Sequence, residues 1–251
     1  HASILGLNNT VNNSPNSAVL GQRNSLTGSE GNAVLGRHNV IESSTFNTIN
    51  GSNNTLNNVV GLTTAQGGVR ASNSVTGAQN KLDAVKGSTN IVGDRNTLTA
   101  RKDDGTAVRL ASFSGVDVIG SDNTLKAENA GARTRISVLG SGNTLNGKAT
   151  DAVVIGSKNT VTGNFAGTQV LGSEVSVSGE ARDSVAIGKK AKLSATNAVA
   201  LGSGATVGVA NSIALGAGAV ADAAPVAVNQ ANVKEITYGG FAGVAQADSG
   251  V

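Results

Sequence analysis

The sequence contains no cysteine, no methionine and no tryptophan, and it has only one tyrosine, four phenylalanines and two prolines among 251 residues. The lack of cysteine excludes disulfides, thiolate catalysis and cysteine-ligated metals. With so few aromatic side chains, a core must be built from valine, isoleucine, leucine and alanine. The scarcity of proline suits a chain whose backbone N–H groups are mostly engaged in hydrogen bonds.

Excess charge and long apolar runs are also lacking. The 19 basic and 16 acidic residues leave a net charge of +3, which is too small an excess to indicate nucleic-acid binding. No apolar run approaches the roughly 20 residues of a membrane-spanning helix, so we expect no membrane contact by this chain. Since no signal peptide opens the sequence, we expect a mature protein or a piece of a longer one.

What is abundant is glycine, and 13 of the 34 glycines mark a repeat. Near copies of one stretch occur as VIGSDNTL at 118–125, VLGSGNTL at 138–145 and VIGSKNTV at 154–161. The anchor glycines lie 14 to 16 residues apart, with three longer gaps that we interpret as insertions near 62–72, 99–113 and 126–134. The anchors are Gly6, Gly21, Gly36, Gly51, Gly77, Gly93, Gly120, Gly140, Gly156, Gly172, Gly188, Gly202 and Gly216.

Other positions keep their residue type relative to the anchor. The fifth residue after it is aliphatic throughout, and the third is asparagine in nine successive copies. A 14-residue unit is too short for a helical hairpin and predicts one coil of a parallel β-solenoid, with two short strands and two turns. Glycine and asparagine both tolerate left-handed backbone in a turn. Because stacked coils bring identical residues about 4.8 Å apart, the asparagines predict a hydrogen-bonded ladder.

The two residues before each anchor are both apolar, although neighbours in a strand point to opposite faces. We place the column immediately before the anchor in the interior, so the second column should face outward. A soluble monomer rarely exposes such a stripe, which therefore predicts an oligomer built along the rod axis. The predicted interface residues are Val19, Val34, Val118, Val138, Val154 and Val170.

An alternative interpretation is a flattened solenoid in which both columns face one interior. In the last three coils the second column shrinks to alanine, at Ala186, Ala200 and Ala214. The residue before it becomes Val185, Val199 or Ile213. The packing is therefore expected to change near Gly188.

Residues 183–219 resemble the head repeat of trimeric autotransporter adhesins of the YadA type. The matching stretches are SVAIG at 184–188 and NSIALG at 211–216, against a family repeat of the form Asn-Ser-Val-Ala-Ile-Gly-x-x-Ala with a 14-residue period. Residues 226–228 and 233–237 are similar to the family's neck. The resemblance implies an all-β, left-handed parallel β-roll assembled as a side-by-side homotrimer. It implies a head over 1–224 and a neck-like segment over 225–251 that leads toward a stalk absent here.

The resemblance also implies a function in cell adhesion and virulence, as the head of a bacterial surface adhesin anchored in the outer membrane through a C-terminal part absent here. The implied partners are a host extracellular-matrix protein, a cell-surface receptor or a glycan. No enzyme is expected, because the sequence shows no Ser/His/Asp set, metal-ligand cluster or phosphate loop. Its two histidines are His1, at the terminus, and His38, in a turn slot. We therefore expect no catalytic residue, no metal and no cofactor.

Candidate ligand-binding residues form two groups. The first is basic and lies in or beside the insertions, where solenoids commonly place specificity and where positive charge suits an acidic glycan: Arg101, Lys102, Arg109, Arg133 and Arg135. The second group lies in the coils that match the family motif, through which the resemblance implies collagen-type binding. It comprises Ser184, Val185, Ala186, Ile187, Gly188, Asn211, Ser212, Ile213, Ala214, Leu215 and Gly216.

Two other functions stay open. The chain is a non-binding spacer if it only lengthens or stiffens the surface fibre. A threonine column directly after the asparagines is typical of an ice-binding solenoid, but Val40, Lys81 and Lys192 interrupt it. Enzymatic solenoids are disfavoured, since hexapeptide acyltransferases have a shorter period and pectin-lyase-type solenoids have longer coils.

Overall fold

The computed structural model describes residues 1–60, 62–63, 69–100, 113–126, 133–223, 230–233 and 236–239, and every regular element in them is a β-strand. The strands are β1 Ser3–Leu7, β2 Thr10–Asn12, β3 Ala18–Gln22, β4 Ser25–Thr27, β5 Ala33–Arg37, β6 Val40–Glu42, β7 Asn47–Ser52, β8 Thr55–Asn57, β9 Leu62–Thr63, β10 Val69–Ala71, β11 Asn73–Ala78, β12 Lys81–Asp83, β13 Gly87–Val92, β14 Thr97–Thr99, β15 Phe113–Ile119, β16 Thr124–Lys126, β17 Arg133–Ser141, β18 Thr144–Lys148, β19 Val153–Ser157, β20 Thr160–Asn164, β21 Gln169–Ser173, β22 Ser176–Val177, β23 Val185–Ile187, β24 Lys192–Leu193, β25 Val199–Leu201, β26 Thr206–Val207, β27 Ile213–Leu215, β28 Val220–Ala221, β29 Gln230–Val233 and β30 Ile236–Gly239.

Most strands belong to two parallel sheets of 13 strands each. The first sheet runs from β1 to β27 and holds the residues before each anchor, and the second runs from β2 to β28 and holds those after it. The register follows the repeat, since Gly6 pairs with Gly21 and Gly140 with Gly156. Each coil thus gives one strand to each sheet, which confirms the predicted parallel β-solenoid. At the usual strand spacing, 13 coils make a rod on the order of 60 Å long.

The core is a column of valine and isoleucine from the first sheet, packed against a leucine-rich column from the second. The core column of the first sheet is the one two residues before each anchor. The six valines expected at a subunit interface, Val19, Val34, Val118, Val138, Val154 and Val170, are all buried within one chain, at 3% exposure or less. That prediction is wrong. The residues that face outward are those immediately before the anchors, such as Leu20 and Leu139.

The prediction placed the two apolar columns on the wrong faces of the first sheet, and the reason is physical. Side chains alternate along a strand, so an error of one position exchanges the two faces completely. Both columns are apolar, and hydropathy therefore did not distinguish them. The alternative in which both columns share one interior is also wrong, because Val138 is buried while Leu139 is 49% exposed.

The asparagine ladder predicted beside the glycine turns is confirmed. It joins nine side chains and all but the first are buried. In a typical rung, Asn123 Nδ2 donates to Asn96 Oδ1 at 3.0 Å and to the Gly140 carbonyl at 2.8 Å. Asn123 Oδ1 in turn accepts hydrogen bonds from the backbone N and Nδ2 of Asn143, at 3.1 and 2.9 Å. The members are Asn9, Asn24, Asn39, Asn54, Asn80, Asn96, Asn123, Asn143 and Asn159.

Interrupting this ladder should destabilise the fold. Replacing Asn123 by valine removes the side-chain partners of the Asn143 backbone N–H and the Gly140 carbonyl, in a place that water does not reach. Asn96 Oδ1 loses one of its two bonds from residue 123 and keeps the one from the backbone N. Since a buried unpaired group costs about 1–3 kcal/mol, we expect a loss of about 2–3 kcal/mol in the free energy of unfolding, measured by chemical denaturation. The control is Asn9→Val at the half-buried end of the ladder, where water replaces the lost bonds. Equal losses for the two variants would contradict this account.

A second polar column inside the roll was not foreseen. Asn47 Nδ2 donates to Asn32 Oδ1, Asn73 Nδ2 to Asn47 Oδ1, and Thr89 Oγ1 to Asn73 Oδ1, all at 2.9 Å. These residues lie four positions before their anchors, where the residue type changes after a few coils. The N-terminal coils are thus held by two ladders.

Two strand pairs lie outside the large sheets. Strands β9 and β10, from the insertion near 62–72, are antiparallel, and so are β29 and β30 near the C-terminal end. The middle of the other two insertions, residues 101–112 and 127–132, lies outside the described residues.

Candidate interaction surfaces

The outward face of the first sheet carries a long apolar stripe. We define it by the eight aliphatic side chains before the anchors that are 36 to 49% exposed: Leu20, Leu35, Val92, Ile119, Leu139, Ile155, Leu171 and Leu201. Two polar side chains, Asn50 and Thr76, interrupt this apolar stripe between Leu35 and Val92. At its N-terminal end a shallow apolar hollow is lined by Leu5, Leu20 and Leu35.

A neighbouring outward column widens the apolar stripe toward the C-terminal coils. This column lies three residues before the anchors and, apart from Val153, is small or polar before the last three coils, as at Ala18, Ala33 and Asp117. It becomes aliphatic at the end, as in Ile213, which is 44% exposed. The expected change in packing is therefore present, because the interior narrows to Ala186, Ala200 and Ala214 while the outer face gains aliphatic bulk.

The second sheet presents a polar outer face. Its outward positions include the threonine column, with Thr97, Thr144 and Thr160 in adjoining or nearby coils. Lys81 and Lys192 stand in the same column. The charged side chains divide the hydroxyl groups into short runs, so the face is not a continuous hydroxyl array.

The structure describes two of the five basic candidates. Arg135 is exposed and forms a bidentate ion pair with Asp151, and its hydrogen bonds lower the pKa of the Asp151 carboxyl. The pair neutralises the charge of Arg135, one of the five residues expected to attract an acidic glycan. The backbone of Arg133 belongs to β17, while Arg101, Lys102 and Arg109 lie outside the described residues.

A similar ion pair bridges the insertion at 101–112. Arg95 donates to both carboxylate oxygens of Asp122, at 2.6 and 2.8 Å. These hydrogen bonds lower the pKa of Asp122. The stability they add is therefore present at neutral pH and is lost as the pH falls through that lowered pKa. Since the two residues are 27 positions apart, only their equivalent places in the turn column signal the contact.

The motif residues proposed for collagen-type binding divide between interior and surface. Ser184, Ala186, Ser212 and Ala214 are buried, and the Ser184 hydroxyl donates to the Arg182 and Ala195 carbonyls. These four side chains cannot contact a ligand, so that part of the prediction is wrong. The outward members are Val185, Ile187, Asn211, Ile213 and Leu215.

Neither a metal-ligand group nor a membrane-spanning helix is found among the described residues. No group of three His, Asp or Glu side chains comes together among them in the way that a metal ion requires. His38 is exposed in its turn, with a φ of 54°. Within the same part of the chain, no helix has the length and hydropathy needed to cross a membrane.

Comparison with known families identifies the C-terminal coils. The YadA head domain repeat matches the chain in two copies, at residues 180–205 and 194–219. The chain therefore contains YadA-type head repeats over residues 180–219. The two copies begin 14 residues apart (194 − 180), which is also the distance from Gly188 to Gly202. The search of curated proteins gave no match to the chain.

The β-solenoid continues upstream of the matched repeats in the same two sheets. Strand β21 pairs in register with β23, so the coil before the first repeat stacks directly on it. What changes across this junction is the residue after the turn, from Asn159 through Val175 to Ala191. The hydrogen-bonded ladder thus ends where the family repeats begin, while the fold persists.

Proposed function

We propose that this chain is the head of a bacterial surface adhesin, which attaches to host cells or extracellular matrix and is anchored in the outer membrane by a part outside this sequence. The proposal is that it acts by binding and not by catalysis. One observation carries it: the coils at 180–219 match the YadA head repeat and belong to a rod that exposes an apolar stripe along its length. A rod suits repeated contacts with a multivalent surface.

The proposed assembly is a homotrimer of left-handed rolls, side by side, with the apolar stripe at the subunit interface. Exposed apolar area of this extent is rare on soluble monomers, and a second and third copy would cover it. Three copies around one axis leave the polar second sheet outward for ligands. The segment 225–251 is proposed as the start of a neck.

The ligand is proposed to be a matrix protein, a cell-surface receptor or a glycan, bound through the insertions or through the outward residues of the last coils. The insertion at 99–113 is the strongest candidate because each chain has one copy of it, whereas contacts made by coils recur along the rod. A binding site in a unique loop is lost completely when that loop is removed.

Deleting residues 100–112 is therefore expected to change the choice of partner more than altering any one coil. The measurement is binding of the whole chain to a panel of matrix proteins, host receptors and glycans. We expect at least one partner to lose about tenfold or more in affinity, equivalent to about 1.4 kcal/mol. The control is Thr160→Ala, an outward change in a single coil.

The panel also separates the alternatives. If the deletion leaves the set of bound partners unchanged, and substitution of Asn211 and Leu215 abolishes binding, the ligand site lies in the last coils instead. If the intact chain binds no member of the panel, the head is a spacer that lengthens or stiffens the fibre.

A further inference from the structure

A polar cleft of about 390 Å³ lies at the outer edge of the second sheet, away from the apolar stripe. It is lined by Asn146, Gly147, Lys148, Thr162, Gly163, Asn164 and Glu180. We propose that this cleft is a binding site for a neutral saccharide. This inference rests on the adhesin proposal in one respect: adhesion explains why the chain would present a saccharide site.

The cleft is formed where the second sheet is widest. Strands β18 and β20 have five residues each, whereas the strands of this sheet before them have three and β22 has two. The extra length extends the pairing to Gly147 with Gly163 and to Lys148 with Asn164. The cleft therefore occupies the place where neighbouring coils have already turned toward the first sheet.

The floor of the cleft consists of bare backbone. A Cβ on Gly147 would lie 1.9 Å from the Gly163 carbonyl oxygen, and one on Gly163 would lie 2.3 Å from that of Gly179. Gly147 and Gly163 also have positive φ angles, of 137° and 88°. These positions admit no side chain, because the next coil fills the space that a Cβ would occupy, so the floor of the cleft presents main chain alone.

Both sides of this floor carry polar groups. Asn146 and Thr162 flank the glycines on one side, and Lys148, Asn164 and Glu180 on the other. Asn164 Nδ2 donates to Glu180 Oε2 at 2.9 Å, and Arg182 Nε lies 3.4 Å from the same oxygen. These contacts hold the carboxylate at the rim, and a carboxylate has room for further donors.

This set of groups matches a polyol better than other ligand classes. Amide, hydroxyl, ammonium and carboxylate groups supply donors and acceptors side by side, as the hydroxyls of a sugar ring require. The Glu180 carboxylate opposes binding of an anion at Lys148, and a single carboxylate is a poor cation site. Phe165, which follows Asn164 in the chain, is buried and cannot stack on a sugar. We therefore expect affinity in the range of about 1 mM for one site, raised by multivalency in a trimer.

The test is saturation-transfer NMR and calorimetry of the whole chain with methyl glycosides of glucose, galactose, mannose and N-acetylglucosamine. At least one should bind saturably. Asn164→Ala and Glu180→Gln should each weaken it about fivefold to tenfold, the effect of losing one hydrogen bond. Asn146→Ala should do the same, whereas Asn12→Ala, at the equivalent position of the first coil, should leave binding unchanged.

Circular dichroism shows whether each variant keeps its fold. Thr162→Arg provides a second blocking variant, which adds bulk and removes the 3.3 Å hydrogen bond from Thr162 Oγ1 to the Val177 carbonyl. If none of the glycosides binds, or if the four cleft variants bind as the wild type does, the proposal is overturned. Inorganic sulfate binding more tightly than any glycoside would overturn it as well. Failure here leaves the adhesin proposal intact, because attachment to the panel of host ligands is measured separately.

Discussion

Replacing both Leu139 and Ile155 by aspartate is expected to convert the assembled head into folded monomers. The two side chains are 49% and 36% exposed on a single chain, so one chain by itself tolerates the charges. In a trimer they would place six carboxylates without partners in an apolar interface, at several kcal/mol each. Sedimentation velocity would then give a species of one third the mass, with an unchanged β-sheet signal in circular dichroism.

Two control variants in the same coils show whether the effect depends on which face carries the charges. Thr144→Asp with Thr160→Asp puts the same charges on the outward face of the second sheet and should leave a trimer. Val138→Asp with Val154→Asp puts them into the core and should unfold the chain. A folded trimer carrying Leu139→Asp and Ile155→Asp would show that the apolar stripe is not the interface.

The second large effect is expected from one added methyl group, in Gly156→Ala. A Cβ at this position would lie 1.8 Å from the carbonyl oxygen of Gly172 in the next coil. No real Cβ comes so close, and the obstructing atom is backbone, so the two coils must move apart and lose hydrogen bonds in both sheets. We expect a loss of about 4–5 kcal/mol in the free energy of unfolding, among the largest effects of single substitutions.

The matched control is Gly204→Ala. Gly204 also has a positive φ, of 70°, but a Cβ there would meet nothing within 4 Å. It carries only the cost of a left-handed backbone, about 1–2 kcal/mol. Chemical denaturation of the two variants separates crowding from backbone strain, and similar losses would contradict the role of close stacking.

Features that repeat with one residue type were predictable from the sequence. The Asn123 rung followed from its column, because nine asparagines at one position allow one arrangement in stacked coils. The choice between Val138 and Leu139 for the interior was not predictable, since hydropathy is the same at both positions. That choice depends on the narrow space between the two sheets, which only the folded coil defines.

Contacts that occur only once along the rod could not be predicted from the sequence either. Asn164 and Glu180 meet because β20 is longer than its successor, and strand ends are not marked by residue type. Arg95 and Asp122 hold equivalent places two residues after their anchors, but nothing in the repeat shows that these two side chains pair. These contacts of the candidate surfaces thus depend on local departures from the repeat. An interpretation based on the shared features of the coils does not predict them.

The end of the asparagine ladder has a mechanical consequence. Hydrogen bonds between coils run along the rod, so tension on a fibre held at both ends is carried by one coil interface after another. The last coils are joined through second-sheet strands of only two residues, and Val175, Ala191 and Ala205 stand where asparagines link the earlier coils. The force on each hydrogen bond is therefore highest in the coils after Val175. Under tension we expect these coils, near the proposed neck, to separate first, while the coils on the N-terminal side of Val175 stay folded.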